Sequence, residues 1–208
     1  MPLLFEQKKK GKGQLAVWYI SETENELLQL LPMEADLAQQ LQGIGHPEKR
    51  REWLASRILL HQLTGNTQAL VYLPGGQPCL QQKQPRISLS HTHNYAAAVA
   101  SEHCQPGVDI EYRGERAGRL LKRFANEEEL ARLKELEQTS TATLLWCAKE
   151  TVYKVLNRPG LLFREEVTVR GFGPASEGRL TAEVSAFPPC RLDLQFLSHP
   201  AFQLVWHW

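Results

Sequence analysis

Helix-like and strand-like runs follow one another along this chain without the regular βαβ rhythm that a parallel sheet needs, so the fold class is α+β. Leu15–Ile20 and Tyr95–Ser101 have strand composition, as do Arg86–Leu89 and Val108–Glu111. Pro47 opens a helix over Glu48–Leu63 that Gly65 closes, with Trp53, Leu54, Ile58, Leu59 and Leu63 at helical spacing. Glu22–Leu41 reads as one or two helices interrupted near Pro32, and Pro74-Gly75-Gly76 reads as a turn. Further on, Arg119–Phe124, Glu127–Glu137 and Leu144–Leu156 are helical, the last ended by Asn157-Arg158-Pro159-Gly160. Gln138–Thr141 is polar and expected as a loop, and Lys8–Gly13 as a basic, solvated turn. At least three strand-like runs follow Val167, ending on Phe202–Trp206.

A break at Gln105-Pro106-Gly107 divides the chain into two expected subdomains, 1–105 and 106–208. Each half carries a Trp-bearing amphipathic helix with charged neighbours: Arg51, Trp53 and Arg57, then Trp146, Lys149 and Glu150. The 24 basic side chains nearly match the 23 acidic ones, which argues against bulk nucleic-acid binding but not against one small anionic ligand. No apolar run reaches the roughly eighteen residues needed to span a bilayer, and the lysines near the start follow the apolar residues, the wrong order for a secretory signal. Four scattered cysteines without a CxxC pair are expected as reduced thiols in a cytoplasmic protein.

Three short segments can carry chemistry. In Gly107-Val108-Asp109-Ile110-Glu111, residues two apart on a strand share a face, so Asp109 and Glu111 project together. Adjacent carboxylates repel unless a cation lies between them, and Mg²⁺ suits one or two carboxylates plus waters and phosphates. An exposed strand end with solvated acids is the plainer alternative. On the helix from Leu144, Trp146, Glu150 and Lys154 recur at i, i+4 and i+8, so Glu150 can add a third carboxylate. An ordinary Glu–Lys surface pair would look the same. Lys149 lies roughly 100° around the helix from Glu150 and need not share its role. Ser88-Leu89-Ser90-His91-Thr92-His93 begins as a strand and ends in hydroxyl and imidazole groups suited to phosphate oxygens. No zinc-type spacing and no Gly-x-Ser-x-Gly elbow accompanies them.

In order and spacing, Ser88–His91, Gly107–Glu111 and Trp146–Lys154 together resemble the Sfp-like 4′-phosphopantetheinyl transferases, and Phe124 followed by Asn126-Glu127-Glu128 resembles a further family segment. The likeness covers roughly residues 45 to 165. It implies two similar α+β halves in one chain (a pseudo-dimer) and a coenzyme A site. It also implies Mg²⁺-dependent transfer of phosphopantetheine to a serine of an apo acyl or peptidyl carrier protein, by a monomer acting without nucleic acid or membrane. By the same resemblance Asp109, Glu111 and Glu150 hold Mg²⁺, while Glu150, Glu111, Lys154 and His91 serve the chemistry. Arg51, Arg57, Ser90, His91 and Lys154 contact coenzyme A. Gln77 stands where the family has a lysine, which implies either a weaker grip on the 3′-phosphate or a grip supplied by Arg50, Arg51 or Lys83. Two other readings are a catalytically impaired homologue that binds coenzyme A and a Mg²⁺-dependent nucleotide pyrophosphate hydrolase. The hydrolase signature Gly-x₅-Glu-x₇-Arg-Glu-x-x-Glu-Glu is absent.

Overall fold

The computed structural model describes residues 3–31, 35–65, 70–73, 75–136 and 138–208. The fold is α+β, and the chain packs as two compact units: residues 1–106 with Trp208, and residues 107–207.

The first unit runs β1 (Leu3–Lys9), β2 (Gly13–Tyr19), α1 (Glu24–Leu30), α2 (Ala35–Gln42), α3 (Pro47–Thr64), β3 (Leu70–Tyr72), β4 (Pro78–Leu80), β5 (Arg86–Thr92) and β6 (Tyr95–Ser101). Its main sheet is antiparallel in the order β1-β2-β6-β5, and β3 pairs with β4 as a separate hairpin. The central strands β2 and β6 are apolar on both faces, with Leu15–Trp18 and Ala96–Ala100 buried. Helix α3 starts with Pro47, tolerated where the backbone N–H would have no helical partner. It stops at Gly65, whose φ of 59° suits glycine and whose N–H donates back to His61 O. Leu54, Ile58 and Leu59 of α3 pack with Trp18, Leu27, Ala96 and Ala98.

Two sequence expectations change here. A first strand, β1, reaches into the lysine run, so the turn shrinks to residues 10–12. Its mostly exposed residues lack the alternation that marks a half-buried strand. Ser90, His91 and Thr92 belong to β5 itself, paired with Ala97, Ala96 and Tyr95, and only His93 and Asn94 turn the chain, both at positive φ. The break near Pro32 and the Pro74 end of the expected turn lie outside the described residues.

The second unit runs β7 (Gly107–Tyr112), α4 (Glu115–Phe124), α5 (Glu127–Lys134), α6 (Gln138–Leu156), α7 (Phe163–Glu166), β8 (Val167–Arg170), β9 (Glu177–Val184), β10 (Cys190–Ser198) and β11 (Phe202–His207). These strands form one antiparallel sheet in the order β7-β11-β10-β9-β8. Leu144, Leu145, Ala148 and Val152 of α6 join Val167, Leu180, Leu194 and Phe196 of the sheet in one core. Gln138–Thr141, expected as a loop, is the first turn of α6: polar helix starts carry little of the periodicity that marks helix interiors. The helix expected over Glu127–Glu137 ends at Lys134. Among the described residues no helix is long and apolar enough to cross a membrane.

Candidate active site

The carboxylates of the second unit are placed by a close approach of strand to helix. A Cβ on Gly107 would lie 2.5 Å from Val155 Cγ2 and 2.8 Å from the Thr151 carbonyl oxygen, so glycine lets β7 press onto α6. Cys147 Sγ lies 3.0 Å from Asp109 O, adding a polar contact to that seam, and Thr151 Oγ1 donates to Val205 O of the neighbouring β11. Asp109 and Glu111 follow Gly107 at two-residue intervals, while Val108 and Ile110 between them are buried.

Helix α6 supplies the rest. Lys154 Nζ donates to Asp109 Oδ1 at 2.7 Å and to Val108 O at 2.9 Å. Trp146 Nε1 donates to Glu111 Oε1 at 3.0 Å, and its ring packs edge-on against Phe124 and Phe163. Burial raises the Glu111 carboxyl above its ordinary value, and the Asp109 charge raises it further. Glu150 is pushed up to about 7, first by burial, then by Asp109, with Glu111 adding to it against the opposing pull of Lys154. Asp109 therefore acts electrostatically on both glutamates, and Glu111 acts on Glu150. Arg116 on α4 also opposes the rise of both glutamates, and its role could not be read from sequence because α4 carries other basic residues as well.

A divalent ion fits this donor set. Asp109 raises the proton affinity of both glutamates, Glu111 raises that of Glu150, and the ammonium of Lys154 already answers Asp109, so added positive charge would relieve the glutamates. Among the described residues no three His, Cys, Asp or Glu side chains are already drawn together into a metal cage.

Lys149, adjacent to Glu150 in sequence, does something else. Its side chain is fully buried, and Nζ shares its three N–H groups among Phe124 O, Phe163 O, Val167 O and Glu129 Oε2, all within 2.8 Å. Glu129 in turn accepts from the backbone N–H groups of Asn126 and Val169. This pair ties α6 to the α4–α5 turn, α7 and β8. Its partners are distant in sequence, so no local signal announced it.

The first unit holds a second polar cluster. His91 Nδ1 lies 2.8 Å from Glu52 Oε2, and Lys49 Nζ donates to the same oxygen at 2.6 Å. Arg51 Nη2 donates to Asn94 Oδ1 at 3.3 Å, and Ser90, on the same strand as His91, is buried. Arg57 sits deeper: its guanidinium carbon is 3.4 Å from the Trp53 ring centroid, Nη1 donates to Trp53 O, and Nη2 donates to Tyr72 Oη. Arg50 is held by both oxygens of Glu24 and by Leu41 O. Of the basic residues on α3 considered for phosphate, Arg51 is therefore less committed than Arg50 or Arg57.

Residues 105–202 match the family model of the 4′-phosphopantetheinyl transferase superfamily. The matched span includes Asp109, Glu111, Glu150 and Lys154, and it supports a transferase that handles phosphopantetheine. No curated protein matches the chain.

Proposed function

We propose that this protein transfers the 4′-phosphopantetheine group of coenzyme A to a serine of an apo acyl or peptidyl carrier protein, with Mg²⁺, as an Sfp-like holo-carrier synthase. The observation that best supports this reading is the raising of Glu150 by burial, Asp109 and Glu111 together, inside the segment that matches the family.

In this reading the serine hydroxyl attacks the β-phosphorus of coenzyme A. The bond from that phosphorus to the bridging oxygen breaks, and 3′,5′-ADP leaves with the electron pair. Mg²⁺ held by Asp109, Glu111 and Glu150 would neutralise charge on the two phosphates. Lys154 places a fixed ammonium beside Asp109, where it can answer the negative charge of the pyrophosphate. Glu150, or a water held by Glu111, accepts the serine proton. Trp146 keeps the Glu111 carboxylate from swinging away. In the first unit Arg51, Ser90 and His91 offer donors to a phosphate oxygen, while Arg57 supports them from within.

The test mixes the purified protein with coenzyme A, Mg²⁺ and several apo carriers and records intact carrier masses. A gain of one phosphopantetheine, lost with EDTA or with a Ser→Ala carrier, is the expected result. Coenzyme A binding without any gain would favour the impaired homologue, and no binding at all would overturn the reading.

A further inference from the structure

Glu52 is only 2% exposed, yet it lies outside the carboxylate cluster of the second unit and on the core-facing side of α3 with Ser56 and Leu59. A buried, ionised acid is costly unless donors satisfy it. Glu52 has two, and both reach the same oxygen: Lys49 Nζ at 2.6 Å and His91 Nδ1 at 2.8 Å. An ammonium can only donate, so Glu52 is the acceptor in that contact. Burial would raise its carboxyl, but the hydrogen bonds from His91 and Lys49 hold it down at about 2. An ionised carboxylate accepts only, so the proton of the His91 contact sits on Nδ1.

That assignment orients the whole ring. With Nδ1–H turned inward to Glu52, Nε2 is the nitrogen left for a ligand, on a side chain that remains 36% exposed. The hairpin carrying His91 has a second tie to the same helix, from Arg51 to Asn94 across its two-residue turn. The helix therefore holds both the strand end and the turn.

We infer that Glu52 is a positioning residue for phosphate recognition: it fixes the ring and proton of His91 so that Nε2 faces an anionic phosphoryl group of coenzyme A. This rests on the transferase reading for the identity of the ligand, but not for the state of the ring. When a phosphate approaches Nε2, a second proton there makes it a donor, and Glu52 balances the resulting imidazolium. Lys49 holds the Glu52 carboxylate in place from the exposed side of the helix.

The test uses Glu52→Met, which removes the acceptor while keeping an apolar stem, with Glu52→Leu as the second variant should the first fail to fold. Ring-nitrogen NMR of His91 reports the proton position directly. The expected result is an Nδ1–H signature in the wild type at high pH and a shift toward Nε2–H in the variant. Calorimetry with coenzyme A alone, without carrier, should show affinity weakened by about tenfold. His91→Ala should weaken it similarly, and the double variant should lose little more than either single one. An unchanged His91 spectrum, unchanged affinity, or additive losses would overturn the inference. A wild type that binds no coenzyme A, but whose His91 proton still moves in the variant, would instead overturn the transferase reading and the ligand assigned to Nε2, leaving the positioning of the ring supported.

Discussion

Two long helices each carry a glutamate toward a sheet, and the two glutamates end in opposite states. Glu52 on α3 lies at about 2 and Glu150 on α6 at about 7, although burial pushes both upward. What separates them is the company each keeps. Glu52 is met by two donors, Lys49 and His91, and is satisfied within the protein. Glu150 is met by the charges of Asp109 and Glu111, which Lys154 and Arg116 offset only in part. Burial alone therefore does not identify a functional acid. A carboxylate cluster that its own chain leaves short of positive charge is the feature that points outward, to a cation.

The largest expected effect comes from removing one member of that cluster. Asp109→Asn keeps the shape of the side chain but removes charge at the centre of the group. Carrier phosphopantetheinylation should fall on the order of 10⁴-fold, about 5.5 kcal/mol in barrier. Thermal stability should change little, since the lost repulsion with the glutamates is set against the lost ion pair with Lys154. Near-normal transfer by this variant would break the contrast between the two helices.

A charged pair in the second unit sharpens it further. Lys149 and Glu129 are as buried as Glu52 and similarly satisfied, so they belong with the internal acids and bases despite their place beside Glu150. Lys149→Met would strand the Glu129 charge and leave the carbonyls of Phe124, Phe163 and Val167 without their donor. The expected cost is about 3–5 kcal/mol in chemical denaturation, partly recovered in a Lys149→Met, Glu129→Leu double variant. A loss of transfer with stability intact would instead place Lys149 with the reacting groups.

How far the residue order alone carried these distinctions depends on where each partner lies. Helix α3 was legible from Pro47, Gly65 and its apolar spacing, and the carboxylates from two-residue and four-residue intervals. Those signals are local. The inward role of Lys149 was not legible, because it depends on Phe124, Glu129, Phe163 and Val167, brought together only by folding. Glu52 likewise looks like a solvated acid between Arg51 and Trp53 until β5 supplies His91. Strand β1 escaped notice because its exposed residues follow no burial period, and the first turn of α6 because it is polar.

The pH response tests the same contrast at a smaller scale. In the protein stripped of metal by EDTA, Glu150 keeps a proton between its ordinary 4.5 and about 7, where the unfolded chain has already released it. The folded state binds more protons in that window, so stability falls as pH rises through it. Glu52 works the other way: its contribution is present above about 4.5 and is lost as pH falls toward about 2. Glu150→Gln should therefore stabilise the stripped protein at pH 8 by about 2 kcal/mol and scarcely change it at pH 4.5. Denaturant melts at both pH values decide this, and equal gains at each would remove the link to Glu150 ionisation.

The smallest expected effect separates two neighbours on α3. Arg50 is gripped by both oxygens of Glu24 and by Leu41 O, which binds α3 to α1 and to the end of α2. Lysine keeps the charge but has no planar fork to match the carboxylate, so Arg50→Lys should cost about 1 kcal/mol of stability. Its coenzyme A affinity should stay within about twofold of the wild type, because the side chain is already engaged inside the fold. Arg51→Lys reverses the pattern: Arg51 donates to Asn94 at a long 3.3 Å, so little stability depends on it, while the loss of the fork should weaken coenzyme A binding. Calorimetry and melts on the two variants measure both quantities. A larger loss of coenzyme A affinity at Arg50 than at Arg51 would exchange their roles, and would show that a satisfied ion pair can still be recruited by the ligand.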